Sequence, residues 1–207
     1  GAMKNSYQAQ KVIEKVIKEK PKARWLFLTL STKNAIDGDT LEQSLKHLTK
    51  AFDRLSRYKK VKQNLVGFMR STEVTVNKND GSYNQHMHVL LCVANAYFRK
   101  KENYITQEEW VNLWQRALQV DYRPVANVKA IKPNRKGDKD IESAIKETSN
   151  YSVKSSDFLT DDDEKNQEIV SDLEKGLYRK RMLSYGGLLK QKHKILNLDD
   201  VEDGNLI

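Results

Sequence analysis

The sequence predicts an α/β (α+β) domain: a central, mainly antiparallel sheet flanked by helices. Three observations carry that expectation. Short, β-prone apolar runs alternate with segments whose apolar residues recur at helical spacing. Two strand-like stretches, 66–77 and 85–94, flank Asp80-Gly81, a strong signal for a tight hairpin. The chain has 207 residues, 38% of them hydrophobic, which is enough to bury a core of one domain.

Gly1-Ala2 before Met3 reads as a cleavage scar, and residues 5–19 form a lysine-rich helical lead-in stopped near Pro21. Arg24–Ser31 is a dense aromatic and aliphatic run, hence a buried strand. Asp37-Gly38-Asp39-Thr40 supplies a turn and N-cap candidates. Leu41, Leu45, Leu48, Phe52 and Leu55 then mark one face of an amphipathic helix. Thr106 and Glu109 have capping-box spacing and open a helix with Trp110, Leu113, Trp114, Ala117 and Leu118 on one face. That tryptophan pair fits core packing better than a base-stacking platform. A further strand is expected at 125–131, and a helix at 140–154 edged by Ile141, Ala144 and Ile145. Residues 160–164 are an acidic turn or helix start; a charged helix, Ser184-Tyr185-Gly186-Gly187 and an acidic tail follow. The expected domain division is 1–23 as scar and lead-in helix, 24–155 as core, and 156–207 as a C-terminal extension packing on it.

Charge narrows the partners. Thirty-seven Lys and Arg against twenty-eight Asp and Glu give a formal charge of +9, which suits nucleic acid or an anionic surface. The basic runs at Lys59, Lys60 and Lys62, at Arg179 to Arg181, and at Lys190, Lys192 and Lys194 read equally as phosphate contacts or as solvated charge. No apolar run is long enough to span a membrane, and no signal-peptide core follows the start. The single cysteine, Cys92, lies in an apolar run, so a small core residue and a reducing, cytoplasmic setting are expected.

The chemistry concentrates in two places. In His86-Met87-His88 the strand pleat sends both imidazoles to one face, where they can share a metal ion. If Asp80-Gly81 is a two-residue turn, Asn79 pairs with Ser82, Glu73 lies opposite His88, and Thr75 lies opposite His86. A carboxylate beside two imidazoles gives a three-ligand set with coordination positions left open; a plain cross-strand Glu–His pair is the alternative. Downstream, Glu147, Tyr151 and Lys154 fall along one helical face. Taken alone they suit either a solvated face or a tyrosine nucleophile with a carboxylate base and a phosphate-neutralising lysine.

In their order along the chain, Phe27–Ser31, Glu73-Val74-Thr75, His86-Met87-His88 and Tyr151 with Lys154 resemble the HUH endonuclease superfamily. The set is most similar to the replication initiators of small Gram-positive rolling-circle plasmids. The resemblance runs from about residue 24 to the end and includes Ser184-Tyr185-Gly186-Gly187 and the segment from Leu196. It implies that His86, His88 and Glu73 hold Mn²⁺ or Mg²⁺ against a scissile phosphate. It also implies that Tyr151 attacks that phosphate, giving a 5′-phosphotyrosine link and a free 3′-OH primer. Lys154 would neutralise phosphate charge, and Glu147 would activate water or the 3′-OH to end replication. A plasmid origin hairpin, a homodimer and a host helicase are implied partners. The single tyrosine sets the chain apart from relatives that carry two, and Gln85 and Met87 stand where some relatives have other residues. A single-tyrosine relaxase or transposase, a water-using phosphodiesterase and a non-catalytic DNA-binding module are the competing readings.

Overall fold

The computed structural model describes residues 2–132, 139–149, 159–177 and 182–202. The strands are β1 (Arg24–Ser31), β2 (Leu65–Val76), β3 (Tyr83–Val93), β4 (Ala126–Ile131) and β5 (Leu183–Gly186). The helices are α1 (Ala2–Glu19), α2 (Gly38–Arg57), α3 (Lys59–Lys62), α4 (Ala96–Arg99), α5 (Gln107–Leu118), α6 (Lys139–Ser149), α7 (Asp163–Leu177) and α8 (Gly187–Glu202). The described strands form one sheet in the order β4-β1-β3-β2-β5, with every neighbouring pair antiparallel. The expected α/β sheet is therefore present, and the histidine strand β3 lies at its middle.

The pleat of β3 divides the interior in two. Met87, Val89, Leu91 and Val93 face one core with Leu26, Leu28 and Leu30 of β1. α2 covers that face with Leu48, Ala51, Phe52 and Leu55, and α5 covers it with Trp110, Trp114, Ala117 and Leu118. Leu90 and Cys92 face the other way, with Trp25 and Met69, beneath α1, α6 and α8. The Thr106–Glu109 capping box closes as expected, and Asp37, one of the N-cap candidates, forms a second box with Thr40. Trp110 and Trp114 are buried, and their ring nitrogens donate to Tyr97 Oη and the Ser31 carbonyl, so the pair packs the core. Cys92 is fully buried, and burial pushes its thiol pKa up to about 12.

The hairpin register differs from expectation. Asn77 donates to the Ser82 carbonyl, so the connection has four residues, Lys78 to Gly81, rather than two. Asn77 Oδ1 accepts from Asn79 N–H, Asp80 Oδ1 accepts from Ser82 N–H, and Gly81 sits at φ +73°. These side-chain bonds satisfy the longer loop from within. Glu73 consequently pairs with His86, Ser71 with His88, and Thr75 with Asn84. A two-residue change in register preserves the face, so Glu73 still projects beside the histidines.

The sequence showed no strand after residue 131, yet Leu183–Gly186 adds β5 to the free edge of β2. Four residues are too short to show a period, and the glycines mask the strand further. Their reason is close approach: a Cβ at Gly186 would lie 2.1 Å from the Phe68 ring. Phe68 is itself held edge-on by Phe52, so it cannot readily step aside. Gly187 takes φ +58°, with Val66 O only 2.5 Å from where its Cβ would be. Gly186→Ala should therefore destabilise the fold by about 1–3 kcal/mol through overpacking. Chemical unfolding checks this, and an unchanged midpoint would show that Phe68 yields freely.

Candidate active site

On the histidine face, three adjacent strands change character together. β3 reads His86, His88, Leu90, Cys92; β1, in register beside it, reads Ser31, Thr29, Phe27, Trp25. β2 reads Glu73, Ser71, Met69, Gly67. One end of the face is polar and the other apolar. The apolar end lies under α1, α6 and α8, and the six polar residues gather at the opposite end. Asn127 and Lys129 of β4 continue the Thr29 and Phe27 rows and are exposed.

Of the metal candidates, Glu73, His86 and His88 are brought together. Glu73 Oε2 lies 3.0 Å from His88 Nε2. An ionised carboxylate only accepts, so the imidazole donates from Nε2 in this contact. The two imidazoles stack with centroids 6.3 Å apart and planes 16° apart. Phe27 stacks on the far side of His88, 5.7 Å away and within 9° of parallel. Both Nδ1 atoms are buried with no hydrogen-bond partner among the described residues. Burial pulls the His86 pKa below its ordinary 6.5, helped by repulsion from His88 and opposed by Glu73.

The second cluster is placed in part. α6 lies on the histidine face, in contact with β2 and β3, and buries Ile141, Ala144 and Ile145. Its last turn is buried too, with Thr148 and Ser149 hydroxyls donating back to the Ala144 and Ile145 carbonyls. Glu147 points outward and is exposed. Tyr151 and Lys154 lie outside the described residues, as do Arg179, Lys180 and Arg181. Two of the other candidate phosphate contacts have protein partners: Lys60 pairs with Glu109 at 2.8 Å, and Lys192 with Glu19 at 2.8 Å.

A family model described as a replication protein matches residues 1–207. The chain belongs to the replication-protein family. A replication protein of Staphylococcus aureus is 56% identical over 99% of this chain and 87% of its own length. A Lactiplantibacillus plantarum protein rep is 52% identical over the whole chain and 65% of its own length. A Streptococcus pneumoniae protein rep is 45% identical over the whole chain and 62% of its own length. The chain thus spans about two thirds of the longer relatives. No solved structure matches it. Membership bears out the resemblance read from the motif order. Among the described residues, no helix is long and apolar enough to cross a membrane.

Within this replication-family fold, the donor types at the polar end suit a divalent cation: two imidazoles and a carboxylate on one face. Among the described residues, no three His, Cys, Asp or Glu side chains are arranged to hold a metal ion, and Glu73 is bonded to His88. Ligation through His88 Nε2 requires that bond to open. Ser31, Thr29 and Ser71 were missed as site neighbours. Sequence parity alone puts Ser31 and Thr29 on one face of β1, but it does not say which strand lies beside them.

A neutral His86 stays ready to donate a lone pair at neutral pH. Its lowered pKa also costs stability in acid. The unfolded chain takes up the proton first as pH falls through 6.5, so stability declines from there towards the lower folded pKa. In a histidine NMR titration, the His86 midpoint should lie below 6.5; a midpoint at or above it would contradict the burial argument.

Proposed function

We propose that this chain initiates rolling-circle plasmid replication by nicking one strand of origin DNA through tyrosine transesterification. One observation carries the reading. The polar end of the sheet gathers His86, His88 and Glu73, and α6, which ends two residues before Tyr151 in the sequence, is laid on that same face. The basic balance of the chain suits the polyanionic substrate.

His86, His88 and Glu73 would hold Mn²⁺ or Mg²⁺. Such an ion supplies Lewis-acid neutralisation of charge on the scissile phosphate. The Tyr151 oxygen attacks the phosphorus: the new O–P bond links protein to the 5′ phosphate as the bond from phosphorus to the 3′ oxygen breaks. The phenol proton passes to a base, and the departing 3′ oxygen takes up a proton to become the primer hydroxyl. Lys154 neutralises phosphate charge. Glu147, exposed at the end of α6, activates water or a 3′-OH when replication terminates. The partners in this reading are plasmid origin DNA, a host helicase and a second copy of the chain, within the bacterial cytoplasm.

The test is incubation with single-stranded origin oligonucleotides and Mn²⁺, followed by denaturing gels and peptide mass analysis. A covalent adduct at Tyr151 is expected, abolished by EDTA and by Tyr151→Phe, with a free 3′-OH on the released strand. Cleavage without an adduct would replace the reading with a water-using phosphodiesterase. Binding without cleavage across a panel of family origins would replace it with a DNA-binding module.

A further inference from the structure

A histidine that ligates a metal is ordinarily held by a hydrogen bond at its other ring nitrogen, which fixes both tautomer and ring plane. In His88 the only such bond runs from Nε2 to Glu73, the bond that ligation through Nε2 would open; among the described residues nothing holds the other nitrogen. Nδ1 of His86 and Nδ1 of His88 are buried without partners. An imidazole on a strand otherwise turns broadly about its terminal torsion, since that rotation has no steep staggered wells.

The rings are nonetheless aligned. Phe27, His88 and His86 make a three-ring ladder, with successive planes 9° and 16° apart. Phe27 sits one pleat beyond Thr29, the direct partner of His88, so its ring meets the imidazole on the diagonal. Its own position is fixed by a paired inner strand and by packing against the apolar core at that end of the face. Glu73 approaches from β2, on the opposite side of β3 from Phe27. The imidazole of His88 is thus bounded by an aromatic plane from β1 and a carboxylate from β2.

We propose that Phe27 is a positioning residue for the metal site: its ring sets the plane of His88, and through His88 that of His86, in place of the usual hydrogen bond. The inference rests on the metal-binding reading above. It predicts that aromaticity matters at position 27, and not merely bulk or burial.

The experiment compares the wild-type full chain with Phe27→Leu and Phe27→Tyr. Mn²⁺ binding is followed by electron paramagnetic resonance, and imidazole proton shifts are followed by NMR without metal. Phe27→Leu keeps an apolar side chain but removes the ring plane; it should weaken Mn²⁺ binding by roughly 10-fold or more. It should also remove the ring-current shift of the His88 protons in the metal-free protein. Phe27→Tyr should retain both, and this rescue separates positioning from simple loss of packing. Wild-type affinity in Phe27→Leu, or unchanged His88 shifts, would overturn the proposal. Should the wild type itself take up no Mn²⁺, the metal reading falls, and the shift comparison alone decides whether Phe27 orients His88.

Discussion

The antiparallel pairing of β3 with strands on both sides is the constraint on which the rest depends. Held at the centre of the sheet, β3 must alternate its side chains between two interiors. Met87, Val89, Leu91 and Val93 complete the core under α2 and α5, so the strand cannot slip by one residue without turning all of them away from that core. The same lock sends His86 and His88 to the opposite face. Pairing on either side then delivers Thr29 and Ser31 from β1, and Ser71 and Glu73 from β2, to the same region. The site is a by-product of a register that the apolar core enforces.

Placing polar groups on a sheet face is tolerable only where the cover is incomplete or the groups are paired. The three helices on this side gather their apolar residues over Trp25, Met69, Leu90 and Cys92, and the polar end is left to pair within itself. His88 is 8% exposed and bonded to Glu73; His86 is half-buried and disfavours a proton. Ser71 is almost wholly buried, with its hydroxyl unpartnered among the described residues. Unmet hydrogen-bonding capacity beside two imidazoles and a carboxylate is costly to stability and is common where a ligand is expected.

Much of this was legible in the sequence because periodicity and capping are local. β1 was recognisable from its apolar density, α2 and α5 from their helical spacing, and the Thr106–Glu109 capping box from a single pair of residues. The histidine pair could be assigned to one face from the pleat alone. The hairpin register was not legible to the residue, because Asp80-Gly81 also fits the end of a four-residue loop closed by Asn77 and Asp80. Glu73 survived that error because the register moved by an even number. β5 and the neighbours contributed by β1 were hidden for a different reason. They depend on pairing between segments far apart in sequence, and nothing local encodes it. Tyr151 and Lys154 remain known from the motif order.

His86, His88 and Glu73 gather on one surface: the polar end of the sheet around β3. The central claim is that this surface binds a divalent cation through His86, His88 and Glu73. Crystals of the full chain grown with Mn²⁺, with data collected at the manganese edge, test it most directly. The account predicts one anomalous peak within bonding distance of both imidazoles and the Glu73 carboxylate, with the Glu73–His88 contact opened. A manganese ion held elsewhere in crystals that leave the Glu73–His88 bond intact would contradict it.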